Sequence, residues 1–172
     1  MTCASALERA LWNAVLTAEG GWIELGARSL VMEHALLRGR AAHPVIVGDD
    51  VLIGPHAHVN GARLGAGSFV ATGAAIYPGA VLAPGVEVRI NAVVQVNSYL
   101  AGETVVPIGW VAVGNPAELL PPERHSEIWA IQRELDFPGT VYGVPRGTSA
   151  RELMTGQSEW FGAHREDTLL DP

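Results

Sequence analysis

Cysteine is nearly absent from this chain of 172 residues: Cys3 stands alone, so no disulfide framework forms and a reducing compartment fits. Charge is sparse at 17%, with neither a basic run nor a basic helix, and the formal net charge is −7. That excludes the electrostatic footprint of a nucleic-acid or anionic-membrane binder. No apolar run is long enough to span a bilayer, and the N-terminus lacks a signal-peptide pattern. The expectation is a soluble, cytoplasmic protein. The hydrophobic share of 48% excludes disorder and supplies the core of one domain.

What is present is a period. Over residues 47–116 an aliphatic side chain returns almost every six positions, at Val47, Ile53, Val59, Leu64, Val70, Ile76, Leu82, Val88, Val94, Leu100 and Val106. Four places after most of these stands a small or apolar residue, as at Val51, Ala57, Ser68, Ala74 and Ala80. A period of six fits neither the helical 3.6 nor a two-residue strand alternation. It predicts a hexapeptide β-helix: three short strands make one triangular coil, the coils stack, and the aliphatics fill a continuous core.

Stacked coils sit about 4.8 Å apart, so residues three hexapeptides apart lie one above the other. The period continues back through Leu37, Val31 and Leu25 across a longer turn at 39–44. One side then carries Leu37, Val59, Ile76 and Val94, with Arg38, Asn60, Tyr77 and Gln95 as the outward column just after them. Another carries Val31, Ile53, Val70 and Val88, and three places beyond these come His34, His56, Gly73 and Asn91. His34 and His56 are therefore expected as neighbours on adjacent coils.

The flanks read differently. Residues 1–10 are a lead-in without repeat register, with a helical turn around 6–11, and 11–21 is an early coil with an irregular turn at 17–21. After Gly114-Asn115-Pro116 the pattern changes, and Ile128, Trp129, Ile131 and Leu135 recur at helical spacing. A helix is expected over 122–136, ended by Phe137-Pro138-Gly139, then an extended connector over 140–147. A second amphipathic helix is expected over 148–161, with Leu153, Met154 and Trp160 as buried candidates, before a polar tail. The domain division is a β-helix over 1–117 and a helical segment over 118–172 that packs on it.

Four stretches carry a family likeness: Leu11-Trp12-Asn13-Ala14-Val15-Leu16, Ile46-Val47-Gly48-Asp49-Asp50-Val51, Ile53-Gly54, and Val113-Gly114-Asn115-Pro116-Ala117 leading to the helix. Over residues 11–120 the chain resembles the gamma-class carbonic anhydrase family of the hexapeptide superfamily. The resemblance implies a left-handed parallel β-helix followed by C-terminal helices, a homotrimer, and zinc held at subunit interfaces. The outward apolar residues Leu36, Phe69, Val81, Val93 and Tyr99 agree with a self-interface. In the family three histidines hold the metal; by the same resemblance those positions fall here on Arg38, Pro55 and Asn60. The early-turn arginine and aspartate fall on Thr17 and Glu19, and the site glutamine on Met32. Proline cannot ligate, arginine repels the ion and asparagine is a weak substitute. Zinc at the family site and carbon dioxide hydration are not expected.

The same place remains polar. Glu33, His34, His56 and His58 cluster on adjacent coils, opposite the column Thr17, Arg38, Asn60 and Tyr77 of a neighbouring subunit, with Glu19 nearby. Three readings fit: solvated turn residues; an acid–base pocket in which a histidine titrates near neutrality and Arg38 holds an anionic group; or a relocated divalent-metal site on His34, His56 and His58. Acid–base roles therefore go to His56, His34, Glu33, Arg38, Asn60, Tyr77 and Glu19. His43, in the turn before Pro44, reads as structural, and His125 and His164 lie outside the β-helix. The functional classes are an enzyme acting on a small, anionic molecule at a diverged interfacial pocket, a non-catalytic scaffold or binding protein, and a hexapeptide acyltransferase using acyl-CoA with His43 or His56 as base.

Overall fold

The structure, a computed structural model, describes residues 9–166 and 168. Its strands run in successive triangular coils. The first holds β1 (Arg9–Leu11), β2 (Val15–Glu19) and β3 (Ile23–Leu25); the second β4 (Ser29–Val31), β5 (Leu36–Arg40) and β6 (Val45–Val47). The third holds β7 (Leu52–Ile53), β8 (His58–Asn60) and β9 (Arg63–Leu64), and the fourth β10 (Phe69–Val70), β11 (Ala75–Ile76) and β12 (Val81–Leu82). β13 (Glu87–Val88), β14 (Val93–Val94) and β15 (Tyr99–Leu100) make the fifth, and β16 (Val105–Val106) with β17 (Val111–Val113) the last. β18 (Glu118–Leu120) pairs antiparallel with β17 and ends the stack. Strands of equivalent place join into a six-stranded first sheet, a seven-stranded second and a five-stranded third. This is the parallel β-helix expected from the hexapeptide period, consistent with the left hand that the family resemblance implies.

The aliphatics at the six-residue spacing face inward. Leu37, Ile53, Ile76, Leu82 and Leu100 are fully buried, and Ala35, Ala57, Ala74 and Ala92 fill the narrow angle of the prism. Each large side chain so placed contributes roughly 1.5–3 kcal/mol of apolar burial. The register is as the spacing implies: Leu37 pairs with Val59 and Val59 with Ile76, while Val31 pairs with Ile53 and Ile53 with Val70. Most corners turn through a left-handed residue, and His34 (φ 59°), His56 (φ 57°) and Asn91 (φ 55°) share one such corner with Gly73. Asn, Asp and His tolerate this region better than most side chains.

The first two coils differ from expectation. Thr17–Glu19 belong to a strand, because β2 and β5 are each five residues long and pair throughout: Thr17 with Arg38, Ala18 with Gly39, Glu19 with Arg40. Two insertions on adjacent coils match each other, so neither loses its hydrogen bonds. The turn expected over 39–44 shrinks to Ala41-Ala42, closed by Arg40 N to His43 O at 2.9 Å and His43 N to Arg40 O at 3.1 Å. Arg9–Leu11 pair with β4 as a strand and not as a helical turn; the rest of the lead-in lies outside the described residues.

The chain separates into two compact units, one running as far as Leu135 and the other from Asp136 on. The expected boundary at 117 falls inside the first unit. Its helix α1 (His125–Gln132) buries Ile128 against Val113 and Leu120 of the last coil. The expected helix over 122–136 has 3-10 turns at Pro122–Arg124 and Arg133–Leu135 on either side of α1. In the second unit, Phe137-Pro138-Gly139 starts a helix instead of stopping one. Asp136 caps α2 (Phe137–Tyr142), its carboxylate accepting from Gly139 N, and proline is tolerated in a first helical turn. The connector is thus helical as far as Tyr142. Ser149 and Glu152 form a capping box on α3 (Ala150–Gly162). Within α3 nothing is fully buried: Met154 and Trp160 are exposed and Leu153 is half-buried. No helix among the described residues is long and apolar enough to cross a membrane.

Candidate functional site

The parallel ladder of the second sheet sets its outward residues in columns. Arg38 pairs with Thr17 on one side and Asn60 on the other, and Leu36 pairs with His58 and His58 with Ala75. Tyr77 and Gln95 follow the inward Ile76 and Val94 and extend the first column. The long β2 adds Glu19, whose carboxylate lies 3.1 Å from Arg38 Nε. Glu19 is 8% exposed and Arg38 24%, so this is a shielded ion pair, although Nε is not aligned for a hydrogen bond. Shielding keeps the attraction stronger than at an open surface.

His58 is half-buried on this face. Burial first, then the positive charges of Arg38 and Arg40, holds its imidazole below the ordinary value of 6.5, so the ring is neutral near pH 7. Besides Arg38 Nε, Thr17 Oγ1, His58 Nε2, Asn60 Oδ1 and Gln95 Oε1 are buried here without a hydrogen-bond partner among the described residues. Asn60 as a whole is only 4% exposed. An unmet buried polar atom costs about 1–3 kcal/mol, so one sheet face holding several is energetically expensive for the chain alone.

The corner histidines meet as the register requires. The His34 and His56 rings are stacked with centroids 5.1 Å apart and planes inclined by 22°. His34 N donates to Asn13 O and His56 N to Glu33 O, which makes them members of the corner's main-chain ladder. Both are exposed, and Glu33 is half-buried beside them. His58 does not join the pair. Among the described residues no three His, Cys, Asp or Glu side chains come together as metal ligands, so the relocated set of His34, His56 and His58 is not assembled. The physical reason is the bend of the corner: His34 and His56 stand on it, whereas His58 lies in β8 among arginines whose charge opposes a cation.

Elsewhere, His43 stands at the next corner, half-buried, its pKa lowered by burial and by Arg40. His125 is exposed at the start of α1. Sequence reasoning missed Arg40, which acts on both His43 and His58. The available signal was the break in period at 39–44, which lengthens β5 by the two residues that carry Arg40 onto this face.

Residues 44–78 match the family described as hexapeptide repeat of succinyl-transferase. No curated protein matches the chain. Similar solved structures include the acetyltransferase domain of PglB from Neisseria gonorrhoeae, at 19% identity over 63% of this chain and 55% of that one, with a TM-score of 0.42. PerB from Caulobacter crescentus, in complex with CoA and GDP-perosamine, shares 22% identity over 66% of this chain and 57% of its own, TM-score 0.30. A maltose O-acetyltransferase from Clostridium difficile shares 17% over 62% and 65%, TM-score 0.28. The chain thus spans less than two thirds of the length of each. At such identities and scores neither ligand nor activity transfers. The comparisons show the hexapeptide repeat; the gamma-class carbonic anhydrase resemblance expected from the sequence is not shown by them.

Proposed function

We propose that the outward face of the second sheet binds a small molecule with an anionic group and a hydroxyl or amine, and that His58 is the general base in its acylation by a thioester. The observation that carries this is the neutral imidazole of His58, set between Arg38 and Arg40 on the face where unmet polar atoms gather. The guanidiniums suit the anionic group, and Thr17, Asn60 and Gln95 offer hydrogen bonds to the rest. The acyl thioester supplies an electrophilic carbonyl. His58 accepts the proton as the acceptor's oxygen or nitrogen bonds to that carbonyl carbon, and returns it to the sulfur as the carbon–sulfur bond breaks. The match to a repeat named for a succinyl-transferase favours this chemistry over hydration of carbon dioxide. His34, His56 and Glu33 lie off this face, at the neighbouring corner.

The assembly we propose is a homotrimer, because the exposed apolar side chains Phe69, Ile90, Val105 and Ile108 leave apolar surface along the first sheet and its corner. Sedimentation at micromolar concentration checks it; a monomer there removes the trimer. For the chemistry, thiol release from acetyl- and succinyl-CoA is followed with a panel of small hydroxy and amino acids. Acceptor-dependent release is expected, reduced by roughly 100-fold or more in His58→Gln. Release that is absent across the panel, or unchanged in that variant, defeats the assignment.

A further inference from the structure

The corner between the second and third sheets holds a second polar recess, apart from the face that carries His58. Its base is the tight turn closed by Arg40 and His43. His43 leans on the next coil at Gly61, where φ is +55° and a Cβ would stand 2.6 Å from His43 Cβ. Any side chain at that position would push the turn away. Gly79 follows on the coil above, its N donating to Gly61 O at 2.8 Å, and then Asn97, its N donating to Pro78 O at 3.0 Å. Asn97 Nδ2 donates to Leu135 O at 3.0 Å, and its Oδ1 lies over Gly79 where a Cβ would collide with it. Arg63, outward on β9 between Ile46 and Val81, forms the remaining wall. The recess measures about 220 Å³.

We infer that this recess binds a small hydroxycarboxylate, Arg63 pairing with the carboxylate while His43 and Asn97 Oδ1 face the hydroxyl. Three observations point there. The volume is below the roughly 300–1,000 Å³ of sites for drug-sized ligands, which admits a molecule of a few carbons and excludes a nucleotide. In a chain of net charge −7 this recess has a cationic wall, lined by Arg63. Finally, the polar groups differ in kind: a planar guanidinium donor matches a carboxylate, and an amide oxygen matches a hydroxyl donor. Burial and the charge of Arg40 favour the neutral imidazole, which can also accept. The site shares no ligand-facing residue with the acyl-transfer face.

L-lactate, propionate and sodium chloride, each titrated into the full chain at constant ionic strength, test this by the NMR resonance of the His43 Cε1 proton. His43→Gln assigns the signal. Lactate is expected to shift it saturably in the millimolar range, with propionate, which lacks the hydroxyl, roughly tenfold weaker. Arg63→Gln, an exposed and structurally mild change, is expected to abolish saturation. His58→Gln is expected to leave lactate binding intact, so failure of the acyl-transfer reading is distinguishable from failure here. No saturation with lactate, equal binding of propionate, an equal response to chloride, or undiminished binding in Arg63→Gln each overturns the inference.

Discussion

His56 and His58 are two residues apart in sequence and meet opposite surroundings. His56 stacks on His34 at an exposed corner, where both backbones occupy the left-handed region and belong to a repeating ladder. His58 lies on a flat sheet, half-buried, with Arg38 and Arg40 depressing its proton affinity and Nε2 unmet. The corner pair has stacking at an exposed place; the sheet histidine has burial, neighbouring charge and an orphaned atom. Proximity of two imidazoles is therefore a weaker sign of chemistry than one imidazole whose protonation state is set by its neighbours.

The largest contrast is expected in turnover. His58→Gln lowers thiol release by roughly 100-fold or more, whereas His56→Ala changes it by no more than about twofold. Steady-state rates of the two variants break the comparison if they fall alike. Next comes a change beneath the face: Ile76→Ala, fully buried under the Tyr77 column, is expected to cost about 2–5 kcal/mol by urea unfolding, against under about 0.5 kcal/mol for an exposed change such as His125→Ala.

The shielded ion pair gives an intermediate effect. Glu19→Gln leaves Arg38 without its carboxylate, and a loss of about 1–3 kcal/mol is expected in the same unfolding measurement. An unchanged midpoint would mean that the pair is solvated. The pH dependence sharpens the histidine comparison. His58 has a folded pKa below its ordinary 6.5, so the unfolded chain binds more protons in the window just below that value. Stability is therefore full above about pH 6.5 and falls as pH drops through it toward the folded value. His43 contributes with the same sign. Unfolding midpoints from pH 8 to 5 should show a shallower slope in His58→Gln than in the parent chain. At neutral pH, His34→Asn is expected to stay within about 0.5 kcal/mol, because asparagine also accepts the left-handed backbone.

Much of this molecule was readable without coordinates, for one reason: a hexapeptide solenoid is quasi-one-dimensional, so spacing in sequence is position in space. The period in Ile53, Val59, Val70 and Ile76 determined by itself the coil, the inward columns and the stacking of His34 on His56. The same arithmetic failed where that relation breaks. The paired lengthening of β2 and β5 is a contact between coils: the break in period at 39–44 marks its place but not its partner strand, and it carried Glu19 and Arg40 into place. The helical starts at Asp136 and Ser149 depend on capping hydrogen bonds, which a proline-glycine pair disguised in the first case. Only the tertiary structure decided which histidine is desolvated, because burial and charge sum over several strands at once, whereas the repeat specifies one column at a time.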